Sequence, residues 1–222
     1  MSGLTERRVK LSDQAYDALR RMIVHGELAP GTRLSEPDLT DQLGIGRTPL
    51  REALLLLAQE RLIHLQPQSG SFVSAIDLDQ VREAQFIREH LECGIIRHVA
   101  TCIDRRGLGD IRRLLEQQDE ALESNDPDRF YDLDEDLHSG FCRIAGRSGV
   151  WRLIQQSKMH MDRVRRLSLP MHDQIPRLIG QHRSILAALT QGDPDGAETA
   201  LRTHLREVFA TIDTLGLDTK AH

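Results

Sequence analysis

Residues 44–63 read GIGRTPLREALLLLAQERLI. Two glycines lead into Arg47, Thr48 and Arg51, and only then does the leucine run begin. Leu50, Ala53, Leu54 and Leu57 recur at spacings of three and four, which predicts a helix with one buried stripe. Arg47 and Arg51 lie about one turn apart and project together from its front end. Thr48 reads as the N-cap, with Pro49 at the first helical position. The free N–H groups of such a terminus favour an anion, and arginine can grip a phosphate or the paired acceptors of a guanine edge. The pattern therefore points to DNA.

Upstream, Ala15, Leu19, Met22 and Ile23 predict a helix from Leu11 to His25 with Ser12 as its cap, which GELAPGTRL (residues 26–34) ends. Ser35, with Asp38 three residues on, opens a short second helix ending at Leu43, and Gly44 supplies the left-handed stop. Downstream, IHL (63–65) and SFVS (71–74) read as strands around QPQSG, a hairpin tip. The order is helix, helix, turn, helix, hairpin, a winged helix-turn-helix over residues 1–75. In that motif the second helix of the pair enters the major groove. The candidate DNA contacts are Arg47, Thr48, Arg51 and Ser35, with Gln68, Ser69 and Gly70 at the tip of the wing. The competing reading is a small core whose arginines are merely solvated.

After Ala75 helical periodicity continues to the end. Segments near 77–102, 107–124, 127–145, 149–167, 173–190 and 194–215 predict an all-α antiparallel bundle over residues 76–222. Asp126-Pro127 and Gly192-Asp193-Pro194 mark its firmest boundaries. The chain has 222 residues, 39% hydrophobic, 28% charged and 4% aromatic, so a mainly α protein of two modest domains is expected. No apolar stretch approaches the ~20 residues of a membrane helix, and MSGLTERRVK lacks the apolar core of a secretion signal, so a cytoplasmic location with no membrane partner is expected. Cys93, Cys102 and Cys142 read as reduced thiols without chemistry. Net charge is −5, all of it beyond residue 76, so any case for DNA rests on where the cations sit.

The run IVHGELAPGTRLSEPDLTDQLGIGRTPLREALLLLAQERLI, with the hairpin ending GSFVS, resembles the DNA-binding domain of the GntR family of bacterial transcription regulators. The matching positions include Gly26, Leu28, Pro30, Gly31, Leu34, Leu39, Leu43, Gly44, Arg47, Thr48, Pro49, Arg51, Glu52, Ala53 and Leu54, with Gly70 in the wing. The resemblance implies a homodimer on a palindromic, double-stranded operator. Two departures stand out: Gly46 replaces the usual serine, and Arg61 stands where the family prefers glycine. Leu55 and Leu56 occupy positions that are often polar and are expected to pack against the second domain or a partner subunit.

Eight of the ten histidines lie beyond residue 76. Asp134 and His138, four residues apart, edge the stripe Phe130, Leu133, Leu137, Phe141, Ile144. His182 shares a face with Ile179, Ile185, Leu186 and Leu189, and His204 with Ala197, Ala200, Leu201 and Val208. Three helices thus bring a carboxylate and imidazoles to an apolar interior, where a shared cation would satisfy them all. One carboxylate with three imidazoles suits a divalent transition metal and leaves one or two coordination positions for water or an anionic ligand. The competing reading is four isolated, hydrogen-bonded core residues. His90, His98, His160 and His172 are expected to be ordinary surface or helix residues.

This region resembles the FCD ligand-binding domain of the FadR-like branch of the GntR family, through Arg88, Glu92, Asp134, His138, His182 in QHRSIL, and His204. The resemblance implies that Asp134, His138, His182 and His204 hold a divalent metal ion, zinc first and nickel or manganese after it, that a small organic acid completes the coordination shell, and that Arg88 faces the pocket as its clamp. An exposed pair with Glu92 is the other reading of Arg88. The function expected is a ligand-responsive regulator and repressor, not an enzyme. The alternatives are a metal-dependent hydrolase on a helical bundle and a DNA-binding regulator with a purely structural metal.

Overall fold

A computed structural model describes residues 10–217, and these divide into two compact units, one ending at Asp77 and the other beginning at Leu78. The first contains α1 (Leu11–Val24), β1 (Arg33–Leu34), α2 (Glu36–Leu43), α3 (Arg47–Gln59), β2 (Ile63–Gln66) and β3 (Gly70–Val73). Leu19 and Ile23 of α1 and Leu50, Ala53, Leu54 and Leu57 of α3 are buried together with Leu39, Leu62, Ile63 and Val73. The stripe read in the leucine run is this core. Tyr16 of α1 donates to the Glu60 carboxylate at 2.7 Å and ties the two long helices together.

Three antiparallel strands lie in the order β1-β3-β2. Ile63 pairs with Val73 and Gln66 with Gly70. The pairing of Arg33 with Phe72 adds a strand absent from the sequence reading, because two residues are too few to show an alternation.

Two caps differ from expectation. Helix α1 starts at Leu11, so Ser12 lies inside it and Lys10 is the N-cap. Helix α3 starts at Arg47 behind an extended Gly46, so Thr48 and Pro49 are its second and third residues, and Thr48 does not cap. The proline is tolerated there because first-turn N–H groups have no partner within the helix. Gly44 adopts φ 63° as expected. Leu55 and Leu56 are 54% and 41% exposed.

The second unit is helical among its described residues: α4 (Leu78–Cys102), α5 (Arg105–Glu123), α6 (Pro127–Ile144), α7 (Ser148–Ser157), α8 (Met159–Ser168), α9 (Gln174–Gln191), α10 (Pro194–Leu205) and α11 (Glu207–Thr214). Helix α10 packs on α4 and α9, and α5 packs on α6 and α9. Ile96, Val99, Ile111, Leu137, Phe141, Ile154, Ile185 and Leu201 belong to one apolar cluster, and Phe130, Leu178 and Ile179 to a second. Asp126 accepts from the Arg129 N–H at 2.9 Å, and Asp193 from the Gly196 N–H at 3.0 Å, so both aspartate-proline boundaries are genuine caps. Cys93 and Cys142 are buried, Cys102 is exposed, and all three are free thiols.

Two expected helices are each split. The segment 149–167 breaks at Lys158, and 194–215 breaks at Arg206. Lys158 is only 1% exposed. Its Nζ donates to Asp162 at 2.6 Å and lies 2.7 Å from Glu135, so the break folds a cation inward onto two carboxylates. Arg206 turns outward to a two-pronged contact with Glu89, at 2.9 and 2.6 Å. Of the histidines expected to be ordinary surface or helix residues, His160 is a buried helix residue on α8.

Candidate metal centre and nucleic-acid interface

At the front of α3, Arg47 and Thr48 are exposed. Arg51 is exposed too, with its Nε 3.0 Å from the Glu36 carboxylate. A solvent-facing pair of this kind is weak, so a phosphate can replace Glu36 at little cost. Ser35 accepts from the Asp38 N–H at a long 3.5 Å and so serves first as the α2 cap. In the wing, the Gln66 carbonyl accepts from the Ser69 N–H at 3.1 Å across Pro67 and Gln68. Gln68 has φ 65° and Gly70 φ 111°, so the tip is a tight turn with Gln68, Ser69 and Gly70 all exposed. A Cβ at position 70 would stand 3.5 Å from the Arg33 Nε, which puts a further cation beside the wing. Arg33 was not singled out from sequence, because its strand was not.

In the second unit, Asp134 and His138 on α6, His182 on α9 and His204 on α10 are all buried, and one donor atom from each lies within 4.8 Å of the others. The rings are oriented by what holds their Nδ1 atoms. His138 Nδ1 is 2.5 Å from Glu92 Oε2, His182 Nδ1 is 2.8 Å from Gln118 Oε1, and His204 Nδ1 is 3.0 Å from Gln181 Oε1. With an acceptor at each Nδ1, the proton sits there and the Nε2 lone pair faces inward. His138 Nε2 and His204 Nε2 are 3.2 Å apart, and His182 Nε2 is 3.3 Å from Asp134 Oδ1. Asp134 Oδ1 and His182 Nε2 are buried without hydrogen-bond partners among the described residues. Lone pairs converging this way repel one another unless something positive stands between them. The donor set, three imidazole nitrogens and a carboxylate oxygen, fits a divalent transition ion.

The electrostatics agree with that fit. Burial pushes the Asp134 carboxyl up, but Arg165, His138 and His182 outweigh it and hold the group well below its ordinary range. Burial lowers His182, and Asp134 opposes this only in part. Burial, then the neighbouring His182 and His138, press His204 well below its ordinary value. These groups are therefore anionic or neutral at pH 7, the forms that bind metal. Burial raises Glu92 as well, yet Arg88 and His138 bring it down to about 2.

Arg88 is buried rather than exposed, and its Nε donates to Glu92 at 2.6 Å. The pair with Glu92 is present but buried, so the expectation of an exposed pair is corrected, and Arg88 also lines a narrow cavity of about 30 Å³ together with Arg165, Gln174, His204, Glu207 and Thr211. Four participants were missed as such: Gln118 and Gln181, which orient imidazoles, Glu92 in that same role, and Arg165, which donates to Asp134 Oδ2. Gln118 left a trace, since it interrupts the stripe Ile111, Leu115, Ala121 at a core position. His90, His98 and His172 are exposed, as expected.

Residues 11–73 match the family model of bacterial regulatory proteins, gntR family, and residues 83–207 match that of the FCD domain. The chain is 41% identical over 214 residues to an uncharacterised HTH-type transcriptional regulator in an unstable DNA locus of Streptomyces ambofaciens, covering 96% of this chain and 88% of that protein. It is 37% identical over 202 residues to the HTH-type transcriptional repressor RspR of Escherichia coli (strain K12), covering 91% and 89%. Among solved structures, E. coli McbR/YncC shares the fold with a TM-score of 0.78 at 23% identity, covering 94% of this chain and 99% of that one. A GntR transcriptional regulator from Rhodococcus sp. RHA1 superposes with a TM-score of 0.74 at 26% identity, covering 93% and 98%.

Proposed function

The chain belongs to the gntR family of bacterial regulatory proteins and carries an FCD domain, and from that premise we propose that it is an operator-binding repressor governed by a small organic acid bound beside a divalent metal ion. It is a DNA-binding transcription regulator and not an enzyme. In this reading residues 1–75 bind DNA, and residues 76–222 take the effector and pair the subunits. Two copies face the halves of a palindromic operator. The exposed Leu55 and Leu56 support a second copy as their cover, since two neighbouring leucines in water are costly.

On the DNA, Arg47 and Arg51 reach base edges or phosphates from the front of α3, the α3 N-terminus with Thr48 receives a phosphate, and Gln68, Ser69 and Gly70 follow the duplex from the wing. Ser35 stands at the front of α2, at the end of that helix away from the turn into α3. In the bundle, Asp134, His138, His182 and His204 hold the ion, for which zinc suits the donor set best and nickel or manganese are alternatives. Once bound, that ion is a Lewis acid to which a carboxylate can attach. Arg88 offers the effector a guanidinium from the cavity wall. The effector changes operator affinity only in so far as it binds one arrangement of the dimer better than the other. That the relative RspR carries the name repressor supports the repressor reading.

The observation that carries the metal reading is the outward anchoring of three imidazoles on Glu92, Gln118 and Gln181 while their Nε2 atoms meet Asp134. Fluorescence anisotropy on labelled operator tests the whole. Zinc-loaded protein is expected to bind one palindrome tightly and to release it with a small carboxylate. If chelation leaves fold and operator response alike unchanged, and no carboxylate tried moves the anisotropy, the sensor reading fails.

A further inference from the structure

Helix α4 and the start of α11 line an open groove of about 480 Å³, inside the ~300–1,000 Å³ span of small-molecule sites. Two of the side chains along it are aromatic and stand in water: Phe86 of α4 is 64% exposed and Phe209 of α11 is 40% exposed. Exposed aromatics that share one groove mark a binding surface more than scattered ones do. The Phe86 ring rests against His90, with ring centroids 4.0 Å apart, and His90 is fixed in turn by its Nδ1 donating to the Phe86 carbonyl at 2.8 Å. None of these residues belongs to the candidate metal centre or to the cavity beside it.

Gln85 lines the same groove and is only 2% exposed, yet its amide oxygen and its amide nitrogen are both buried without a hydrogen-bond partner among the described residues. Buried polar atoms nearly always have partners, and leaving a donor and an acceptor empty at one residue is costly. The charges along the groove, by contrast, are already cancelled. Arg82 pairs with Asp79 at 2.7 Å, and Arg206 holds Glu89 through two bonds at 2.9 and 2.6 Å. An ion entering here would lose its hydration and meet no uncommitted counter-charge. What fits is an uncharged flat ring that stacks on the phenylalanines and brings an acceptor beside a donor to the amide.

We propose that the groove along α4 and α11 is a ligand site for an uncharged planar aromatic ring with a hydrogen-bond donor and acceptor side by side on its edge, read by the Gln85 amide and stacked on Phe86 and Phe209. Aromatic carboxamides and nucleobases share that edge, and a glutamine amide makes the same two-bonded contact with adenine in nucleic-acid recognition. The Gln85 amide turns about a soft terminal torsion, so it meets the ring without a shift of α4. Stacking on the two phenylalanines removes their faces from water. This site needs no ion and stands or falls apart from the metal-centre reading.

The test is a ligand-observed NMR titration of the full chain in the presence of chelator, so that the metal centre plays no part. The probes are benzamide, adenine and acetophenone, the last equal to benzamide in shape but with the acceptor alone. Benzamide should bind roughly tenfold tighter than acetophenone, the scale of one hydrogen bond to a buried group. Whichever of benzamide and adenine binds tighter tells a carboxamide from a nucleobase. Gln85→Leu should bind benzamide and acetophenone equally. Phe86→Ala, at an exposed position, should weaken both by roughly fivefold, the scale of a lost ring contact. Circular dichroism checks each fold, and should Gln85→Leu not fold, Gln85→Met takes its place with the same expectation. A wild type that binds neither benzamide nor adenine overturns the proposal, as does one that binds benzamide and acetophenone equally. A benzamide preference that survives the loss of the Gln85 amide overturns it too, and so does a Phe86→Ala chain that binds as wild type does. If Phe86→Ala turns a dimer into a monomer in sedimentation, the groove belongs to a second copy and the proposal fails.

Discussion

Gln118 does for His182 what Glu92 does for His138: it fixes which ring nitrogen carries the proton. Gln118→Ala should therefore lower zinc affinity by about 10- to 100-fold, the usual effect of losing a partner behind a metal-bound imidazole. Gln118→Glu, which keeps an acceptor, should retain most of it; equal losses in the two variants would mean that the amide only packs. The four candidate ligands were legible because each falls on the apolar stripe of its own helix, whereas Gln118, Gln181 and Arg165 act across helices, and one sequence does not say which faces meet. Arg61 is a smaller case. It sits at φ 59° just past α3, where glycine is at ease and a side chain is strained. Its salt bridge to Asp77, at 3.6 Å and largely in solvent, returns little. Arg61→Gly should raise stability by about 0.5–1 kcal/mol in denaturant unfolding, the scale of a relieved left-handed residue; a loss instead would show that the arginine has a role at that corner.

Helix α3 shows how composition sets an element and leaves its first residue open. Its buried stripe was plain from Leu50, Ala53, Leu54 and Leu57, but the cap fell two residues earlier than read, at Gly46, because a Thr-Pro pair imitates a start signal wherever it lies in the first turn. Gly46 has φ −76°, and a Cβ there would meet only the Pro49 Cδ at 3.8 Å. Gly46→Ser should fit and add a few tenths of a kcal/mol as a true side-chain cap, measured by urea unfolding; destabilisation would show that the extended glycine is required. Arg47→Ala should weaken operator binding by about 1–3 kcal/mol if it reads a base, with relaxed preference at one position, or by a similar loss on every sequence if it holds a phosphate. Unaltered affinity would remove α3 from the interface. The break between α7 and α8 was invisible for a different reason. Lysine normally marks a solvent face, and only the tertiary pairing of Lys158 with Glu135 and Asp162 turns it inward.

At the scale of the whole molecule, the bundle buries ionisable groups whose titration favours the folded state only above certain pH values. The folded values of His182 and His204 are depressed, so the unfolded chain takes up protons first, near the ordinary histidine value of about 6.5. Stability of the metal-free protein is thus complete above that pH and falls as pH drops through it. A second decline follows between about 4.3, the ordinary glutamate value, and the depressed one of Glu92. The midpoint of thermal unfolding in chelator should fall from pH 7.5 to 5.5, and zinc should raise it at pH 7.5 far more than at 5.5, since the ion competes with protons for the same lone pairs. A flat profile would place these histidines in water. Sequence resolved the division into a winged unit and a bundle because the hydrophobic period changes near residue 75; the cavity is built from five helices and has no linear signature. The state of the three thiols carries a practical corollary. Burial pushes Cys93 up to about 11 and Cys142 up to about 12, so both resist alkylation, while Cys102 stands exposed at the C-terminal end of α4. A single maleimide dye should attach there without any mutagenesis, giving the bundle its own optical reporter.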